Sequence, residues 1–326
     1  MRFCSKALAA ILALSAPAAA LAATCTMQDE MSPQDRTALA EAGTRLAQAI
    51  AAQDTVTVKA SLLPAEASEW NGIEAAVQQA GPLTSNGHIQ FRDGFLLDAS
   101  GQPAPADTEF FCSNSSGAMN VTISMRNLPP GRYGVLLADA LGAPLAGQLG
   151  LILAWDKPSS SWMLAGLTVR PGALGGHDGT WYWKSGRGMA RQDPWVAWYD
   201  YDMAAHLLLP VDFLASPNLD KLRQEQTQIT PAPPTALPLS LPDGDRTWKI
   251  DAVVIDDSLR EPDLGVVYES TGVTDPAAQR TEATAVMTAF LKAQPGIRAN
   301  FHGLWAIAAK NGQRSPVMEL PMKQIP

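Results

Sequence analysis

The chain has 326 residues, 46% of them hydrophobic and 17% charged, with a formal net charge of −8. An acidic balance of this size excludes the basic footprint of a nucleic-acid binder and disfavours an anionic membrane surface as partner. The length exceeds what one hydrophobic core ordinarily serves, so two or three domains are expected.

Arg2 and Lys6 precede an apolar run from Ala7 to Ala22 that is broken by Ser15 and Pro17 and ends in small residues around Ala20-Leu21-Ala22-Ala23. This is the pattern of a secretory signal peptide over residues 1–23, with an alanine-rich bacterial character. The run falls short of the ~20 residues needed to cross a hydrocarbon core, and no later segment reaches that length. The expectation is therefore a periplasmic or secreted protein with no transmembrane segment. Removal of the leader discards Cys4 and leaves Cys25 and Cys112 as the only thiols. In an oxidising compartment such a pair is expected to form a disulfide. The bridge would close a loop of nearly ninety residues, which in the chain-entropy model contributes ~4 kcal/mol. The rival reading, a lipidated Cys25, is disfavoured because Thr24 stands where a lipoprotein processing site needs Gly or Ala.

Ser32-Pro33-Gln34-Asp35 supplies an N-cap, a proline at the first helical position and an acid in the first turn. Leu39, Ala42, Leu46, Ala49 and Ile50 then recur at helical period. A second apolar stretch through Ile73, Ala76 and Val77 reads as a short helix that stops at Gly81-Pro82. From about Gly87 the pattern changes to strands: His88 to Leu97, Met119 to Met125, Arg132 to Ala140, Gln148 to Trp155 and Trp162 to Val169. Helices followed by an antiparallel sheet define an α+β domain over residues 24–172.

The N-terminal helix, the Gln53-Asp54 turn and the closing hairpin that ends in Trp162-Met163-Leu164-Ala165-Gly166-Leu167-Thr168-Val169 resemble the cone-shaped NTF2-like (cystatin-like) superfamily over about residues 32–171. That resemblance implies a curved sheet backed by helices around an apolar interior. Enzymes of that group place polar residues inside the cone, and by position the candidates are His88, Arg92, Asp93, Tyr133 and Asp139. A carboxylate buried there would have a raised pKa and could act as a base. Against this, Leu149 to Ala154 offers no polar group on either face.

Residues 173–229 read as helical and rich in aromatics. Asp193-Pro194 caps a second helix, Pro210 ends it, and Asn218 caps a third. Trp181, Tyr182, Trp183, Trp195, Trp198, Tyr199 and Tyr201 crowd this segment, as a platform for a ligand or partner or as core packing of a helix apolar around much of its circumference. Asp202 and His206 stand four apart and are placed to meet. His177, in Gly175-Gly176-His177-Asp178-Gly179, is positioned to line a cleft, although the glycines serve a turn without any chemistry.

Thr230 to Pro242 carries five prolines and marks a linker over residues 230–245. Beyond it, residues 246–326 form a small α+β domain. Its strands are Thr247 to Ile255, Leu264 to Glu269, Asn300 to Ala309 and Pro316 to Pro321, with a helix through Ala283 to Leu291 and a hairpin at Asn311-Gly312. Asp251, Asp256, Asp257, Glu261 and Asp263 read as a solvated acidic face, and His302 as packing beside Phe301 and Trp305.

No nucleophile elbow, phosphate loop, paired Cys-x-x-Cys, zinc spacing or EF-hand occurs, so neither cofactor nor metal is assigned. The leading expectation is a soluble, exported, non-catalytic binding or protein-interaction protein of the cell envelope. It would hold a small apolar ligand or an envelope protein in the cone or on Trp181, Trp183, Trp195, Trp198, Tyr199 and His177. The first alternative is an NTF2-like hydrolase or isomerase working through Asp93, Tyr133 and Asp139. The second is a carbohydrate-binding protein presenting Trp181, Trp183 or Trp195.

Overall fold

Short-range capping sets the first helices. In the computed structural model, which describes residues 23–84, 87–117, 119–143 and 145–326, strand β1 (Thr24–Met27) leads into α1 (Pro33–Ala51). The expected signal peptide lies almost wholly outside the described residues. Ser32 Oγ accepts the Asp35 N–H at 3.1 Å, the cap that the sequence predicts. Leu39, Ala42, Leu46, Ala49 and Ile50 are all buried. After α2 (Thr55–Ala60), capped by Asp54, α3 (Trp70–Thr84) continues through Gly81 and Pro82 instead of stopping there. Pro82 has no N–H to give to the carbonyl four residues back, which ordinarily breaks a helix. Here Gln53 Nε2 donates to that Gln78 carbonyl at 3.0 Å, so the lost bond is replaced from another element.

Six strands follow: β2 (His88–Asp98), β3 (Ala106–Ser113), β4 (Asn120–Leu128), β5 (Arg132–Leu141), β6 (Gly147–Asp156) and β7 (Ser161–Pro171). An antiparallel five-stranded sheet has the order β1-β2-β5-β6-β7. Helices α1 and α3 cover one face, with Leu46, Ile50 and Val77 packed among Leu136, Leu149, Leu151 and Leu164. The opposite face carries Phe95, Leu97, Val135 and Leu137, which pack on Phe110 of β3 and Ile123 of β4. Because both faces are covered, the apolar run in β6 shows no alternation with polar residues. The Cys25–Cys112 disulfide, spanning a sequence separation of 87, ties β1 to β3. Such a bond is compatible with an extracytoplasmic location. Among the described residues no helix is long and apolar enough to cross a membrane.

The second half opens with β8 (Ala173–Leu174), β9 (His177–Asp178), α4 (Gly179–Met189) and α5 (Pro194–Leu208). Asp193 accepts the N–H groups of Trp195 and Val196, the predicted cap. The chain then crosses back to the first half, where β10 (Leu214–Ala215) pairs with β4 beside Ile123 and Thr122. It returns as α6 (Pro217–Thr227), whose cap is Ser216 rather than Asn218 because Pro217 already occupies the first helical turn.

The segment 230–245 is not a free linker. It contains α7 (Pro233–Ala236) and β11 (Leu239–Asp243), and β11 pairs residue by residue with β12 (Arg246–Asp256). Pro233 and Pro234 open α7, and Pro242 is tolerated within β11 because that strand is at the sheet edge. Next come β13 (Asp263–Glu269), α8 (Pro276–Ala293), α9 (Pro295–Asn300), β14 (Gly303–Lys310) and β15 (Gln313–Pro321), giving a sheet ordered β11-β12-β13-β14-β15. Strands β13 and β14 run parallel across the α8–α9 crossover. Asn311 and Gly312 both take positive φ in the tight turn joining β14 to β15, as their pairing predicts.

The aromatic helices share a core with this sheet: Tyr182, Trp195, Tyr199 and Tyr201 pack with Trp248, Ile250, Tyr268 and Phe290. Residues 173–229 and 246–326 therefore form one body, not two separated by a linker. The described residues together form an α+β fold.

Asp200 lies within this body, buried, with one hydrogen bond from Ser185 Oγ at 2.7 Å. Burial pushes its carboxyl up to about 6, which the Ser185 hydroxyl only partly opposes. A folded-state pKa raised above its unfolded value means that stability is fullest at low pH and declines as pH rises from near 4 through 6. Asp200→Asn keeps the acceptor for Ser185 and removes the buried charge. It is expected to gain about 2 kcal/mol at pH 8 and little at pH 4, by urea unfolding at both values.

Candidate functional site

The structure separates the aromatic residues that the sequence groups together. Trp195 and Tyr199 retain 5% and 1% of their exposure, and Trp198 is packed against the same core. Trp195 and Tyr199 are core residues, and Trp198 is a partly buried residue at the edge of that core. The apolar circumference of α5 is matched on one side by α4 and α6 and on others by α9 and β12. Trp183 is half-buried, its Nε1 donating to Glu225 at 2.8 Å with the Arg187 guanidinium over its ring. Arg187 also forks onto Glu225, and these hydrogen bonds pull the Glu225 carboxyl down to about 2. Trp181 alone keeps a broad exposed face, 44%, and it stacks on His177 with ring centroids 3.7 Å apart. His177 is thus an exposed residue of the short strand β9 and lines none of the described cavities. Asp202 and His206 do not meet. Asp202 accepts from Gln226, whereas His206 Nε2 lies 3.0 Å from Asp257.

The three acid–base candidates do not converge. Asp93 and Asp139 flank Arg92 at 3.0 and 3.1 Å in a partly exposed ion-pair group on β2 and β5. Tyr133 lies elsewhere and donates its hydroxyl to the Pro129 carbonyl at 2.7 Å. Burial, reinforced by the charge of Glu66, raises the Tyr133 phenol and keeps it protonated, so no phenolate is available to act as a base.

Tyr133 does line the largest described cavity, an open cleft of roughly 1280 Å³. Its walls come from β3, β4, β5, β6 and β7 and from Phe213 beside β10. Leu63, Met125, Leu128, Ile152, Ala154, Ala165 and Phe213 give an apolar lining; Glu66, Glu109, Arg126 and Arg132 supply charge around it. Arg132 is held by Asp35 at 2.7 Å, and this hydrogen bond keeps the Asp35 carboxyl below its ordinary range.

A second constellation lies in the C-terminal sheet. Asp263 at the start of β13, His302 just before β14 and Glu319 on β15 place one potential ligand atom each within 4.8 Å of one another. Parallel pairing of Leu264 with Leu304 brings Asp263 beside Gly303, and the β14–β15 hairpin sets Glu319 opposite Trp305. Asp263 has 0% exposure, and its Oδ1 lies 2.9 Å from His302 Nδ1. Burial raises the Asp263 carboxyl, while the His302 imidazole pulls it down. Burial and then the charge of Asp263 raise Glu319. Asp263, expected on a solvated acidic face, is thus interior, and His302 is a polar partner and not simple packing. Glu319 carries no motif that would single it out.

Comparison with family models, curated proteins and solved structures returns no match for this chain.

Proposed function

We propose that this chain is an exported, non-catalytic binding protein of the bacterial envelope that holds a small, largely apolar ligand in the cleft beside Tyr133. The observation that carries this reading is the cleft itself, which is open, apolar over much of its wall and rimmed by a few charged groups. Ligand sites typically combine an apolar lining with a small number of orienting polar groups. Burial of apolar ligand surface would supply the affinity, at about 25 cal/mol per Å². Tyr133 and Arg132 are the orienting groups best placed at the wall. The signal peptide and the disulfide support export, and the helix-backed antiparallel sheet supports the NTF2-like reading of residues 32–171. The separation of Asp93 and Asp139 from the cleft favours binding over acid–base catalysis.

The test uses the neutral apolar fluorophore N-phenyl-1-naphthylamine. The full chain is expected to bind it saturably at one site. Ala165→Arg, which puts a charged chain into the cleft, should weaken binding about tenfold or more, worth ~1.4 kcal/mol. Trp181→Ala should leave affinity unchanged. Equal affinity in wild type and Ala165→Arg, with both folded by circular dichroism, would reject the cleft as the site.

A further inference from the structure

We propose that Asp263, His302 and Glu319 form a binding site for a divalent first-row transition-metal ion of the zinc type, separate from the cleft. Three features converge on this. The first is composition: one imidazole and two carboxylates, each with a ligand atom within 4.8 Å of the others, offer the nitrogen and oxygen donors that such ions take and leave further positions open. An imidazole in the set favours zinc, copper, iron or nickel over magnesium or calcium, which take oxygen ligands.

The second is unmet bonding. Asp263 Oδ2 and Glu319 Oε1 are both buried without a hydrogen-bond partner among the described residues. Buried polar atoms are nearly always paired, and two orphaned carboxylate oxygens in one cluster call for a missing partner. Buried negative charge without compensation is strongly unfavourable, and a dication would supply the compensation.

The third is space and access. The His302 side chain keeps 39% of its exposure, so the cluster has an open side. Gly303 forms its floor, where a Cβ would come within 2.6 Å of Glu319 Oε1 and 3.0 Å of Asp263 Oδ1.

The experiment is a Zn²⁺ titration of the EDTA-treated full chain by calorimetry, read alongside the imidazole NMR signals of its four histidines. The expected result is one Zn²⁺ per chain, with the His302 signal shifted and those of His88, His177 and His206 unmoved. His302→Ala should weaken binding about a hundredfold and Glu319→Gln about tenfold, in line with loss of a ligand. His206→Ala should change nothing. The NMR readout needs only the wild-type chain, so a variant that misfolds does not spare the proposal. Absence of saturable binding, or a Zn²⁺-induced shift confined to the other histidines, overturns it. An outcome in which the carboxylates merely share a proton appears as no metal binding and overturns it equally. Failure here leaves the cleft titration unaffected.

Discussion

Tyr199→Ala is expected to cost about 3–5 kcal/mol of unfolding free energy, the range for deleting a large buried aromatic. Tyr199 sits where α5 meets the C-terminal sheet, with Trp195 and Phe301 around its ring and its hydroxyl donating to the Val253 carbonyl at 3.2 Å. Deleting it removes packing from both sides of the shared core and strands that carbonyl. Tyr199→Phe separates the two contributions, because it keeps the ring and should lose only about 1 kcal/mol. Urea unfolding of the full chain monitored by tryptophan emission measures both. A surface platform would respond differently, with near-zero stability change for either variant, and that outcome would return these rings to solvent.

Breaking the Cys25–Cys112 bond should be of comparable size. Opening a loop closed across 87 positions is expected to remove about 4 kcal/mol from the first half, according to the chain-entropy model. The effect should be local. Cys112 belongs to the core between the two sheets of the first half, whereas the aromatic helices and the C-terminal sheet bury a different set of side chains. Hydrogen exchange with and without a reductant is the measurement, since two cores need not unfold together. Protection of β1, β2 and β3 should fall on reduction while that of β12, β13 and β14 holds. Unchanged protection in the first three strands would show that the bond contributes little.

Much of the architecture was legible where its causes are local. The caps at Ser32 and Asp193, the Asn311-Gly312 turn and the buried stripe of α1 depend on neighbours within a few residues. The failures have equally specific causes. Pro82 looked like a helix stop because the Gln53 side chain that replaces its bond lies 25 positions before Gln78, whose carbonyl it takes. The prolines of 230–245 looked like a linker, whereas Pro233 and Pro234 start a short helix and Pro242 sits on an edge strand, which needs half the usual pairing. Asp263 looked exposed because nothing near it in sequence reveals that a parallel crossover brings it to His302, 39 positions on. Candidate sites suffer most from this blindness. Their residues are chosen by where strands end in space, and no periodicity records that.

The excursion of β10 has a practical corollary for anyone dividing the chain. A fragment ending at residue 172 would contain every helix and strand of the first half except the two-residue strip that pairs with Thr122 and Ile123. It would also lack Val211, a fully buried plug of the first-half core, and the backbone acceptor Leu207 that holds the buried Gln148. The severed piece would carry a bare sheet margin and an unfilled hollow, both invitations to self-association. A cut after residue 215 would keep the strip but tear α4 and α5 from the core they share with the C-terminal sheet, so excision demands a grafted replacement for the strip, and the two halves are better regarded as clasped than as beads on a string.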